Sequence, residues 1–395
     1  MKRIVLAALV LAGCRAAPPA EHYGFVARLG NDTVAVESVT RSGNTLTSDE
    51  ADRFPVVRQR HTVITLAPNG GVERLVSDVH EPNQPPGKRD RHIVAEVRNN
   101  TVTLTKTDST GTLNKSWPTG GSVVVPHVDQ MYSLYEQRFL AAHEHAAAAK
   151  KSADTVHLRQ FYIDRDFDNF PLHGAVVRVL PNNKMEIEHD WLAGTGEATV
   201  DSIGRLQHYS GAQTTYRVEA ERVATPPDVK AIGAQFAAAE AKNGAKQLSV
   251  RDTTRASIGS ASFSVDYGRP LARGRQLVGG IIPLDHVWRT GANAATQFTT
   301  SKAITLAGLK LPAGTYTLWT VPRADRVELI VNKQHGQWGT SYDRGQDLGR
   351  APVGTETLSK PVEEFTISIV PTDKRRGTLA MEWGPFRWTA PIVVL

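Results

Sequence analysis

Cysteine is nearly absent from the chain: one residue in 395, Cys14. A single thiol cannot close an internal disulfide, and with Cys14 so near the start the rest of the chain has no thiolate metal site, cysteine nucleophile or CxxC redox pair. After the N-terminus no apolar run approaches 18 residues, which excludes a polytopic helical membrane protein. The sequence has no Gly-x-Ser-x-Gly elbow and no glycine-rich phosphate loop. Thirteen histidines occur without one His-x-x-x-His pair. In His143-Glu144-His145 the two imidazoles would diverge by about 200° around a helix axis. No metal and no cofactor is therefore expected.

What is present is an ordinary globular composition, 40% apolar and 22% charged, long enough for two or three domains. Thirty-two glycines and 22 prolines scattered along the chain imply many turns, hence a β-rich protein. The excess of basic residues is small. Loss of Lys2 and Arg3 with a leader would leave +4 of the formal +6, and nucleic acid is not an expected partner. Short basic clusters such as Lys374-Arg375-Arg376 read as solvated faces, at most weakly drawn to anionic headgroups.

The first residues read as an address. Lys2 and Arg3 precede nine apolar residues, Ile4–Ala12, too few to span a bilayer. The segment Leu11-Ala12-Gly13-Cys14 resembles the lipobox of bacterial lipoproteins. That resemblance implies a signal peptide over 1–13 and diacylglycerol on Cys14, which would be the partner-making residue toward the membrane. Arg15 stands where an aspartate would mark inner-membrane retention in enteric bacteria. The expected location is therefore exported, lipid-anchored, at the outer membrane facing the periplasm.

A tether over 14–23 precedes a strand-rich region, 24–223, in which alternation recurs from Phe25 onward and Asn69-Gly70-Gly71 marks a hairpin. A helix is expected within 128–151, where Met131, Leu134, Tyr135, Arg138, Phe139 and Ala142 follow 3–4 spacing. The expectation is a curved antiparallel sheet with a helix, similar in architecture to periplasmic lipoprotein-carrier folds. Thr225-Pro226-Pro227 closes this region. A helix capped by Asp228 and ended by Gly244 follows, then a polar linker, so that 224–247 is read as helix and linker. Residues 248–395 show short strands and frequent turns, the pattern of a β-sandwich or jelly roll. The fold class is thus mainly β.

This last region resembles the bacterial family named domain of unknown function 2911. The residues that carry the resemblance include Val265-Asp266-Tyr267-Gly268-Arg269-Pro270, Val287-Trp288-Arg289-Thr290-Gly291-Ala292-Asn293 and Gly336-Gln337-Trp338-Gly339. The resemblance implies a boundary and a candidate site, not a reaction. Ala294 stands where the family pattern implies an acidic residue.

Two clusters have the composition of a site. Asp164, Asp166 and Asp168 have the spacing of a calcium loop, but its sixth and twelfth positions are Asn169 and Ala175, so the triplet reads as a solvated face. Trp288, Arg289, Asn293, Trp338 and Tyr342 combine aromatic faces with planar donors, which suits a sugar or anionic ligand. The expected function is a lipid-anchored protein binding a ligand or partner at the membrane surface, with no assignable reaction. A hydrolase or lyase acting on envelope glycan or an acidic small molecule, and an acyl-chain carrier using the first sheet, are the alternatives.

Overall fold

The computed structural model describes residues 19–53, 55–163, 172–189, 194–214, 216–245 and 248–395. Cys14 and the Asp164, Asp166 and Asp168 triplet lie outside the described residues. The first region is a meander of β1 (Glu21–Leu29), β2 (Asp32–Ser42), β3 (Thr45–Asp52), β4 (Arg58–Leu66) and β5 (Val72–His80). It continues through the helical turn α1 (Pro86–Arg89) into β6 (Asp90–Arg98), β7 (Thr101–Asp108) and β8 (Gly111–Pro118). Then come β9 (Val124–His127), helix α2 (Tyr132–Ala148), β10 (Asp154–Tyr162), β11 (His173–Leu180), β12 (Lys184–His189), β13 (Gly194–Val200), β14 (Leu206–Thr214) and β15 (Glu219–Val223). All fifteen strands form one sheet, ordered β8 to β1, then β15 down to β9. β1 and β15 meet at its middle, Gly24 opposite Val223. β9 joins β10 in parallel at one end.

Helix α2 fills one face of this sheet. Its 3–4 stripe places Leu134, Tyr135, Phe139 and Ala142 in a core with Phe25, Leu46, Ile64, Leu75, Ile93 and Ile187. The same face carries buried charge. Glu37 accepts hydrogen bonds from Ser48 Oγ (2.6 Å), from Ser133 N (2.9 Å) and from Ser133 Oγ. Arg60 donates to Glu50 and Asp52, each at 2.5 Å. Glu136 of α2 accepts from Tyr23 Oη (2.6 Å), Leu206 N (3.0 Å) and Arg222. Helix α3 (Val229–Asn243) lies on the opposite, outer face: Phe236 packs on Val36, Ala51 and Val57. Asp228 caps it by accepting from Ala231 N at 2.9 Å, and Gly244, with φ of 76°, ends it.

The second region contains β16 (Ser249–Ile258), β17 (Ala261–Pro270), β18 (Thr296–Thr300), β19 (Ile304–Leu306), β20 (Leu309–Leu311), β21 (Gly314–Pro322), β22 (Val327–Asn332), β23 (Asp347–Pro371) and β24 (Arg376–Val394). They form one continuous order, β16-β17-β18-β21-β22-β23-β24-β19-β20. The long strand β23 pairs first with β22 and then with β24, and its later part lies over β17, where Tyr267 Oη accepts from Ile367 N at 2.9 Å. A second core, centred on Phe298, Phe365, Trp383 and Trp388, sits between these strands.

The mainly β class stands, but two finer expectations are corrected. The first sheet is neither curled nor closed: among the described residues β8 and β9 are its end strands, and no ladder joins them. The second region is β-sandwich-like but not a jelly roll: one unbroken strand order runs from β16 to β20, and the long strand β23 passes from β22 to β24 across β17. Alternation identifies strands and their parity; it carries no information on how the ends of a sheet are disposed. β16 begins at Ser249, directly after the segment read as helix and linker, and is paired with β17 along its whole length.

The two regions meet at a polar seam. The β1–β2 turn carries Gly30, with φ of 61°, whose bare Cα lies against the Arg273 carbonyl; any side chain there would overlap it. Asn31 N donates to that carbonyl at 3.0 Å, and Arg273 Nη1 pairs with Asp32 at 2.5 Å.

Candidate functional site

Antiparallel register converts separate sequence positions into rows. On the outer face of the first sheet one row runs across six strands: Ser38, Asp49, His61, Asp78, His92 and Thr107, each directly opposite the next. A second row, two residues along, holds Gln59, His80 and Asp90. Three imidazoles are each gripped at Nδ1 by a neighbouring carboxylate: His61 by Asp49 (2.8 Å), His92 by Asp78 (2.7 Å) and His80 by Asp90 (2.6 Å). A proton held at Nδ1 leaves the Nε2 lone pair facing outward as an acceptor. These rows form the floor of a groove of about 940 Å³, bounded at one end by Pro227–Lys230 at the start of α3. Its lining supplies both donors and acceptors, and among the described residues that line it there is no Phe, Tyr or Trp. Among the described residues no group of three His, Cys, Asp or Glu side chains is placed to hold a metal ion.

The five C-terminal residues singled out by sequence are only partly brought together. Trp288 faces the core, stacked on Trp383 with ring centres 5.7 Å apart and edge-on to Phe365 at 5.2 Å. Arg289, the next residue, lies against Gly339, where any added side chain would overlap its Cδ. Asn293, with φ of 62°, accepts at its carbonyl from Gly339 N (3.0 Å), and Trp338, 53% exposed, bridges to Ala294. Arg289, Asn293 and Trp338 thus share two facing loops. Tyr342 packs against Trp319 at 5.0 Å, in a cluster with Ala295, its hydroxyl donating to Asp347 (2.7 Å) and accepting from Arg350 (2.6 Å). Burial lifts the Tyr342 phenol to about 12, with the Asp347 carboxylate adding to the effect.

Arg289 is largely buried and its Nε has no acceptor. Burial, aided by repulsion from Arg217, lowers its guanidinium to about 10. Arg217 comes from the first region and donates to the Ile281 carbonyl across the seam. Arg275 donates to the carbonyls of Leu271 (2.7 Å) and Ala272 (3.1 Å). Burial and the Arg273 and Arg217 charges lower it likewise to about 10. Residues 276–282 wind through turns closed by Ile281 N to Gln276 O and Ile282 N to Leu277 O.

Neither the outer groove nor the seam was singled out from sequence. A signal for the groove was present. A hairpin folded at Asn69-Gly70 lays His61 opposite Asp78, and the loop over 80–90 lays Asp78 opposite His92. Nothing comparable marks the seam, which joins residues from two regions.

Residues 249–392 match the family described as protein of unknown function DUF2911. Comparison with curated proteins gives no match. Among solved structures the chain is similar to a DUF1089 family protein from Pseudomonas aeruginosa, at 12% identity and a TM-score of 0.33 over 52% of this chain and 97% of that one. It is similar to the same degree to a β-barrel-like protein of the DUF1849 domain from Brucella abortus, at 10% identity and a TM-score of 0.33 over 53% and 97%. Among the described residues no helix is long and apolar enough to cross a membrane. The DUF2911 match begins at the first residue of β16 and ends two residues before the end of β24.

Proposed function

We propose that the protein is a lipid-anchored envelope protein, held by diacylglycerol on Cys14, that binds a sugar-like ligand in the outer groove of its first sheet. The observation that carries this reading is the groove of about 940 Å³ floored by carboxylate-held imidazoles. Helix α2 covers much of the inner face and leaves a cavity of about 300 Å³ beside it, so the outer groove is the larger space this sheet offers. Sugars donate and accept at every hydroxyl, and the lining does the same: imidazole and carboxylate acceptors stand beside the Ser38, Thr107 and Gln59 donors. With an acyl anchor the groove would face envelope glycan at short range.

The test uses the full chain carrying Cys14→Ser, expected in the soluble envelope fraction, titrated calorimetrically with soluble peptidoglycan fragments. Saturable binding is expected, weakened at least tenfold in the His61→Ala/His92→Ala double variant. Equal binding by that variant, or no binding of the fragments, overturns the groove reading. Continued membrane fractionation of Cys14→Ser overturns the anchor.

A further inference from the structure

The charge of the outer groove narrows the class of ligand. We infer that the groove takes a ligand bearing ammonium groups, carried on the sugar ring or on a peptide branch attached to it. This inference rests on the groove reading above and adds the sign of the ligand's charge. The floor presents Asp49, Asp78 and Asp90, whose side chains are 58%, 62% and 70% exposed. Each gives Oδ1 to its histidine, and among the described residues no other donor reaches it. The second oxygen of each is left for a ligand. Asp49 and Asp78 flank His61 in one row, so they stand two strand spacings apart, about 10 Å.

The cations that oppose these carboxylates are few. An imidazole whose one proton lies on Nδ1 is uncharged, so each His–Asp pair keeps the carboxylate's charge. Arg60 and Arg91 also line the groove, but both are taken up from the inner side: Arg60 by Glu50 and Asp52 at 2.5 Å each, Arg91 by Glu81 at 2.8 Å. Asp108 is held by Lys106 at 3.4 Å, and Asp228 is turned to Ala231 N. Arg74 pairs with Glu96 at 3.4 Å. That pair lies four residues further along the strands, about 14 Å away, beyond a screening length of roughly 8 Å at physiological salt. Three open carboxylates therefore meet one lysine of the lining, Lys230. A neutral sugar leaves that surplus unanswered, and a carboxylated one adds to it. An ammonium group brings one positive charge and three donors, which suit a carboxylate oxygen beside an imidazole acceptor.

The test again uses the full Cys14→Ser chain, by calorimetric titration at pH 7 with two matched pairs. The first is glucosamine and N-acetylglucosamine oligomers of equal length. The second is soluble peptidoglycan fragments with their branch amine free or acetylated. In at least one pair the amine form should bind at least tenfold more tightly, and added sodium chloride should shrink the difference. A preference in the first pair places the amine on the ring; a preference in the second alone places it on the branch. The Asp49→Asn/Asp78→Asn variant should bring the ratio of affinities close to one. Lys230→Gln should tighten binding of the amine form several-fold. Equal affinities within both pairs overturn the inference and leave the groove reading standing, as does a ratio that the folded aspartate variant keeps. If that variant does not fold, Lys230→Gln carries the comparison, and unchanged or weaker binding of the amine form overturns the inference. No binding of any of the four ligands overturns the groove reading itself, and the inference falls with it.

Discussion

Glu37 shows what a buried carboxylate does when no cation answers it. Burial raises its pKa, and the bonds from Ser133 and Ser48 offset only part of that rise. A carboxyl whose folded pKa lies above its unfolded value near 4.3 contributes stability that is complete below that unfolded value. That contribution is lost as pH rises through the folded pKa, at roughly 1.4 kcal/mol per unit of displacement. Glutamine imitates the protonated form and can still meet both serines. The Glu37→Gln chain should therefore gain on the wild type as pH rises from 5 to 8, with a flatter curve of Tm against pH by calorimetry. Parallel curves would mean that Glu37 stays ionised in the fold without penalty.

Helix α3 is an element held by a few side chains. Phe236 anchors it on Val36, Ala51 and Val57, while Asn83 donates to the Ala237 carbonyl at 2.9 Å. Phe236→Ala should weaken the docking by about 3 kcal/mol. Hydrogen exchange should then accelerate over 229–243 and remain slow in β4 and β5; faster exchange throughout the sheet would make α3 part of the main core. This helix was legible in sequence because its cap, stripe and terminating glycine lie within one segment. Other elements were hidden for physical reasons. β3 turns Ser48, Glu50 and Asp52 inward, so its buried face does not read as apolar. β16 is an end strand with most of its residues open, and the inward face of β8 alternates Leu113 and Trp117 with Lys115, so neither reads as a plain apolar strand. The run Leu277-Val278-Gly279-Gly280-Ile281-Ile282 is apolar enough for a strand, yet Gly279, at φ of 79°, lets it turn. The groove depended on which strands lie side by side, and Trp288, polar in its sequence company, was drawn into the core by three aromatic neighbours.

At the scale of the molecule, two cores are joined by a seam made mostly of backbone bonds and arginine. The second core is drawn wholly from within 256–394. Residues 248–395 expressed alone should therefore unfold in one cooperative thermal transition. Aggregation of that fragment, with the full chain soluble, would show that the first sheet supplies a surface this core needs. The strand order has a mechanical consequence. β1 begins and β15 ends at the same end of their shared ladder, Gly24 facing Val223. The segment leading in from the N-terminus and the segment leading out to the second region therefore leave side by side, from the sheet's middle. A pull applied between a membrane attachment and the second region would open that ladder like a zipper, one hydrogen bond at a time, starting at Gly24. The load would bypass β2 through β14, so the rows that floor the groove would keep their shape, while its wall at Pro227–Lys230, on the loaded segment, would be drawn away.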